Sequence, residues 1–220
     1  MEIETLYHGS PVIVQKPEYG KGKPYNDYGK GFYCTRHMEL AKEWAVGEKT
    51  DGYVNTYTID LSELKVLNLL DKDYHILHWL ALLLKNREFN ARSPIAYRGK
   101  DYLLNHYLID TVEYDLIIGY RADDSYFAFA RDFLNNTITI KQLQHAMELG
   151  ELKEQHVLIS RKAFDRITFV SSELISCDSY YPKRKDRDDQ ARKAYFDQLR
   201  NDVSNGIYLR DIINGADINE

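Results

Sequence analysis

The feature that most restricts how this chain folds is a short alternating run that ends in a histidine, a glycine and a serine and then gives way to a long irregular stretch. Ile3-Glu4-Thr5-Leu6-Tyr7 has the period-two pattern of a half-buried strand and continues into His8-Gly9-Ser10. Gly9 permits a sharp bend there, or the close approach of a ligand. Residues 11–30 are rich in proline, glycine and polar side chains, the composition of a loop. A loop of that length inside a compact domain usually serves a site, so the strand end is read as a site edge.

Downstream, helical and strand patterns interleave. Thr35 reads as the N-cap of a helix through about Val46, with Met38, Ala41, Trp44 and Ala45 on one face. Residues 53–59 alternate as a strand, and 64–69 read as a continuation of its sheet. Residues 76–84 form an amphipathic helix and 101–110 a second one. The apolar centre of 114–120 is that of a buried strand, after which Asp123 and Asp124 cap the free amides of a helix through Leu134. A further helix fits 140–147, and short strands fit 155–159 and 167–171 on either side of a turn. From Tyr181 the chain turns to Pro182-Lys183-Arg184-Lys185-Asp186-Arg187-Asp188-Asp189 and then a polar helix to about Asn201, read as an appendage. The expectation is an α+β domain over 1–175 with a helical extension over 176–220.

Composition excludes several classes. Hydrophobic residues at 44% and charged residues at 29% are the balance of a globular protein. Glu2 and Glu4 stand where a signal peptide needs a basic start, and no apolar run approaches a membrane span, so a cytoplasmic location without membrane contact is expected. The two cysteines, Cys34 and Cys177, have no metal or disulfide spacing. His75 and His78 share a helix face without further ligands, so no metal is assigned. A net charge of -5 argues against broad adhesion to nucleic acid while allowing a local basic groove.

No phosphate loop, G-x-G-x-x-G fingerprint or G-x-S-x-G elbow occurs. What stands out is Leu6-Tyr7-His8-Gly9-Ser10, then Tyr28-Gly29-Lys30-Gly31-Phe32-Tyr33-Cys34-Thr35, then Leu40-Ala41-Lys42-Glu43-Trp44-Ala45. In these segments, their order and their spacing, the chain resembles the ADP-ribosyltransferase superfamily, on the His-Tyr-Glu branch of poly-ADP-ribose polymerases and diphtheria-type toxins. Within it the likeness is greatest to a bacterial toxin-like group that has the same segments and is often found beside small antitoxin-like genes. The resemblance covers residues 5–46 and, less closely, 114–171.

The resemblance implies two small, mostly antiparallel sheets split around an NAD cleft. It gives His8 the adenine-side ribose, Gly9 the nicotinamide amide and Ser10 a nearby hydroxyl contact, with Gly31 and Ala41 among the NAD-binding positions. Tyr33 and Trp44 would stack on the nicotinamide, a flat cationic ring in NAD that two aromatic faces suit. The catalytic glutamate position carries Gln155, which can hydrogen-bond a ribose but holds no charge. The loss of an acid there costs transition-state stabilisation, and Asp123 and Asp124 are the expected substitutes.

The implied function is mono-ADP-ribosyl transfer from NAD to a protein or nucleic-acid acceptor. A toxin or phage-defence role held in check by a cognate antitoxin goes with it. The alternatives are an NAD glycohydrolase using the same pocket, or a module that binds NAD or ADP-ribose without turnover.

Overall fold

A computed structural model describes residues 2–89, 93–122, 124–149, 153–201 and 206–218. Along the chain run β1 (Ile3–Ser10), β2 (Phe32–Cys34), α1 (Met38–Ala45), β3 (Gly52–Asp60), β4 (Val66–Asn68), α2 (Ile76–Asn86), α3 (Pro94–His106), β5 (Leu116–Tyr120), α4 (Asp124–Leu134), α5 (Ile140–Ala146), β6 (Glu154–Leu158), α6 (Arg161–Arg166), β7 (Ile167–Ile175), α7 (Cys177–Asn201) and α8 (Leu209–Ile213). The fold is α+β, with a three-stranded sheet ordered β1-β3-β7 and a four-stranded sheet ordered β2-β6-β5-β4. Among the described residues only β4 and β5 pair in parallel.

Strand alternation builds the layers. Leu6 and Ile59 from the first sheet meet Cys34, Leu116 and Leu158 from the second in one buried cluster between them. The neighbouring residues Ile117 and Val157 point the other way and join Leu67 in the largest core, packed beneath α2, α3, α4 and α5. On the outer side of the first sheet, Val54 and Ile175 cover Ala41 and Ala45 of α1. Tyr7 and Thr35 exchange backbone hydrogen bonds of 2.8 and 2.9 Å, and this bridge holds the edge of one sheet against the edge of the other.

That bridge also explains why the first helix starts later than Thr35. Because its N–H and carbonyl are committed to Tyr7, Thr35 stays extended, and His37 occupies the N-cap without a side-chain cap bond. Thr35 Oγ1 instead accepts from the His37 amide at 3.2 Å. Met38 lies at the exposed end of α1 rather than on its buried face. The strand does not bend at Gly9, since the β1–β3 ladder continues to Ser10 opposite Tyr53.

Residues 64–69 do not extend the sheet of 53–59; β4 pairs in parallel with β5 in the second sheet. A parallel pair needs a long crossover, which α2 and α3 provide. The second of these helices is Pro94–His106, begun by the Ser93 side chain, which accepts from the Ala96 amide, and by a proline in its first turn. The histidine pair has a structural use: His75 caps α2 and His78 closes a capping box with it. Residues 161–166 form a short helix where a turn was expected. The C-terminal helix starts at Cys177 and runs through Pro182. It adds Tyr195 to the main core, as α8 adds Leu209 and Ile212. Among the described residues no helix is long and apolar enough to cross a membrane.

Candidate functional site

The loop 11–30 is bolted down at both ends. Near its start, the fully buried Asn55 accepts from the Val14 amide at 2.9 Å and donates to the Val12 carbonyl at 3.3 Å. Near its end, the buried Tyr28 hydroxyl donates to the Tyr120 carbonyl at 2.8 Å. Gly119 leaves the room for this, because a Cβ at that position would lie 2.2 Å from the Tyr28 oxygen. The loop roofs a cleft of about 830 Å³ at the junction of the two sheets. Ligand sites commonly span roughly 300–1,000 Å³.

Seven of the residues singled out from the sequence line this cleft: His8, Gly9, Ser10, Gly31, Tyr33, Trp44 and Gln155. The Tyr7–Thr35 bridge sets His8 beside Tyr33, and His8 Nδ1 lies 2.7 Å from the Tyr33 carbonyl. A carbonyl only accepts, so Nδ1 carries the proton, and Nε2 of the neutral ring is a bare acceptor. Burial holds the imidazole below the ordinary histidine range, against the opposite pull of the carbonyl bond. Its ring packs on Phe32 with centroids 4.4 Å apart.

The Tyr33 hydroxyl is tied back to the loop, donating to the Gly29 carbonyl at 2.7 Å and accepting from the Tyr28 amide at 3.1 Å. Burial pushes this phenol well above its usual range, so it is no proton donor to bases at neutral pH. Its contribution to the cleft is its ring. Gly9 lets α1 approach β1, since a Cβ there would fall 2.1 Å from the Ala41 carbonyl oxygen and 2.7 Å from the Ala45 amide. The same contact accounts for Ala41, which is fully buried behind Gly9 and does not line the cleft.

Close packing at Gly9 carries Trp44 to the cleft wall. One face of its indole is covered by the Arg121 guanidinium, 3.8 Å from the ring centroid. Helix α1 is held from outside as well, where the Arg187 guanidinium makes a two-pronged pair with the buried Glu43, each bond 2.9 Å. Ser10 is buried and its hydroxyl accepts from the Val12 amide at 3.2 Å.

Gln155 stands on β6 opposite Gly119 and on the same face as Val157, which pairs with Tyr33. It is buried, and its Nε2 donates to Asp27 Oδ2 at 3.1 Å and to the Tyr120 carbonyl at 3.2 Å. Of the substitute acids expected from the sequence, Asp123 lies outside the described residues, and so does the side chain of Asp124, which opens α4. The carboxylate beside Gln155 is Asp27, from the loop.

Asp27 also accepts from the Ala122 amide at 2.8 Å and from Arg87 Nη1 at 3.2 Å. Burial raises its carboxyl above the usual range, while the Ala122 amide, Arg87 and Gln155 pull it back down. Since all three neighbours donate, the network fits the ionised form. Arg87, at the end of α2, and Arg121 are the two arginines on the cleft lining, and sequence reasoning passed over both. The available signal was the Asp27-Tyr28-Gly29 turn directly before the Tyr33 segment.

No curated protein and no solved structure matches the chain significantly. A family model described as "Protein of unknown function (DUF3990)" matches residues 4–169, most of the length of the chain, and the protein belongs to that family.

Proposed function

We propose that this protein is an NAD-dependent mono-ADP-ribosyltransferase on an ADP-ribosyltransferase-type fold, modifying a macromolecular acceptor. The observation that carries the reading is the lining of one cleft by His8, Tyr33, Trp44 and Gln155. His8 Nε2 accepts no hydrogen bond among the described residues and suits a ribose hydroxyl, which donates. The rings of Tyr33 and Trp44, both on the cleft lining, suit a flat cationic ring such as nicotinamide, with each contact worth about 0.5–2 kcal/mol.

In the reaction, the bond between the nicotinamide nitrogen and the ribose anomeric carbon breaks. Its electron pair leaves with nicotinamide and neutralises the ring. The acceptor nucleophile bonds to the same carbon and gives up its proton. The ribosyl cation that develops needs negative potential nearby, and the Asp27–Gln155 pair is the source on the cleft wall. A toxin or phage-defence role, with a small antitoxin covering the cleft, belongs to the same proposal.

The test is incubation of purified protein with NAD labelled in the adenylate and with cell lysate, followed by separate protease and nuclease digestion. Label in a macromolecule supports transfer, and the digestion that releases it identifies the acceptor class. Free ADP-ribose without labelled macromolecule replaces transfer by hydrolysis. Saturable NAD binding without nicotinamide release reduces the function to binding, and no binding overturns the reading.

A further inference from the structure

A glutamine side chain offers either a donor or an acceptor to a ligand, and its neighbours decide which. Gln155 Nε2 faces two groups that only accept, Asp27 Oδ2 at 3.1 Å and the Tyr120 carbonyl at 3.2 Å. Turning the amide over would set its oxygen against both and forfeit two buried hydrogen bonds. Both amide hydrogens are therefore spent, and among the described residues Oε1 accepts nothing. Gln155 lines the cleft, so that oxygen is the atom it has to give.

We propose that Asp27 is a positioning residue that fixes Gln155 as an acceptor-only group, so that the cleft selects a ligand hydroxyl at that point. The choice of ligand hydroxyl rests on the NAD reading above; the locking of the amide does not. Asp27 is itself immobilised, 8% exposed and held by the Ala122 amide and Arg87. A carboxylate accepting the amide hydrogen also polarises the amide, drawing negative charge onto Oε1. Gln155 thereby acts as the neutral counterpart of one carboxylate oxygen, with the formal charge kept on Asp27. The arrangement explains why glutamine stands here: a glutamate would bring a second carboxylate against Asp27 and against the Tyr120 carbonyl, where like charges repel.

Two measurements test this. The first is NMR of the Gln155 side-chain amide in the full chain without ligand: both hydrogens are expected to be protected from exchange in the wild type, with protection lost in Asp27→Asn. An unprotected amide in the wild type, or one still protected in that variant, overturns the proposal. Gln155→Glu, which leaves the other Asp27 contacts in place, covers the case in which Asp27→Asn does not fold. There the Ala122 amide resonance should report a new ionisation above the ordinary carboxylate range, from two carboxylates sharing a proton. A flat titration overturns the contact.

The second measurement compares binding of NAD with its analogue lacking the 2′-hydroxyl on the nicotinamide ribose. The wild type should favour NAD by about tenfold, the scale of one well-made hydrogen bond, and Asp27→Asn should lose most of that preference. Equal discrimination in both proteins overturns the role in selection. Failure of the wild type to bind NAD strikes the functional reading alone, because the exchange data still decide the amide's orientation.

Discussion

His8 and Tyr33 are joined by a single hydrogen bond of 2.7 Å from the imidazole Nδ1 to the Tyr33 carbonyl, and this bond decides what the imidazole can do. It leaves Nε2 as an acceptor as long as the ring is neutral. Burial depresses the His8 pKa below the ordinary value near 6.5. NAD affinity should therefore stay level as pH falls through 6.5 and drop only at lower pH, where protonation turns Nε2 into a donor. His8→Ala should weaken binding about tenfold and abolish the low-pH drop. Calorimetric titration across this range checks both.

Trp44 is the aromatic residue that should report occupancy. The other tryptophan, Trp79, is buried and donates to the Tyr120 carbonyl at 3.2 Å. Adding NAD should quench a fluorescence component that is missing from Trp44→Phe. Trp44→Ala should lower affinity by about 1–2 kcal/mol, whereas Trp44→Phe keeps a ring and loses less. Unaltered quenching in Trp44→Phe would place the ligand elsewhere.

Gly9 is a packing position, so Gly9→Ala should act on stability first. The added methyl meets backbone atoms of Ala41 and Ala45, which cannot rotate away. Overpacking of this kind costs about 1–3 kcal/mol, to be read as a lower urea midpoint at unchanged slope. Displacement of α1 should also reduce the Trp44 response to NAD.

His156 predicts the acid limb of stability. It is fully buried and neither ring nitrogen has a hydrogen-bond partner, with Glu4 Oε2 at 3.7 Å and Glu154 Oε1 at 3.9 Å. Burial, with Arg36 adding to it, pushes its pKa down to about 4. In the unfolded chain a histidine titrates near 6.5, so the unfolded state binds more protons between those values. Stability is then fully present above pH 6.5 and declines as pH falls toward 4, by on the order of 3 kcal/mol from this group. His156→Phe should narrow the gap between unfolding free energies at pH 7 and pH 4.5. An identical gap in both proteins would remove His156 as the cause.

Much of this was legible in the sequence where local pattern and tertiary demand agree. The alternation of 53–59 and the apolar centre of 114–120 yield β3 and β5, and the Tyr7-His8-Gly9 and Gly31-Phe32-Tyr33 segments meet at one cleft. What could not be read depends on partners far along the chain. Thr35 has the chemistry of an N-cap, yet its backbone belongs to Tyr7. Residues 66–68 match either sheet, and their assignment awaits the crossover that brings β5 alongside.

Asp27 shows the same limit most clearly. An aspartate among glycines and prolines reads as a solvated turn residue, whereas its burial is set by Arg87 and Gln155, 60 and 128 positions away. Glu43 likewise looks like a surface acid of an amphipathic helix until Arg187, 144 positions on, covers it.

The strand order β2-β6-β5-β4 places one of the last-made strands in the middle of its sheet. Until residues 154–158 have been synthesised, β2 has no neighbour on that side and the ring of Tyr33 has no wall to belong to. A growing or shortened chain thus holds the imidazole and the roof without the opposite bank. Whatever the cleft does is withheld from fragments that stop before β6 and arrives only with the finished sheet.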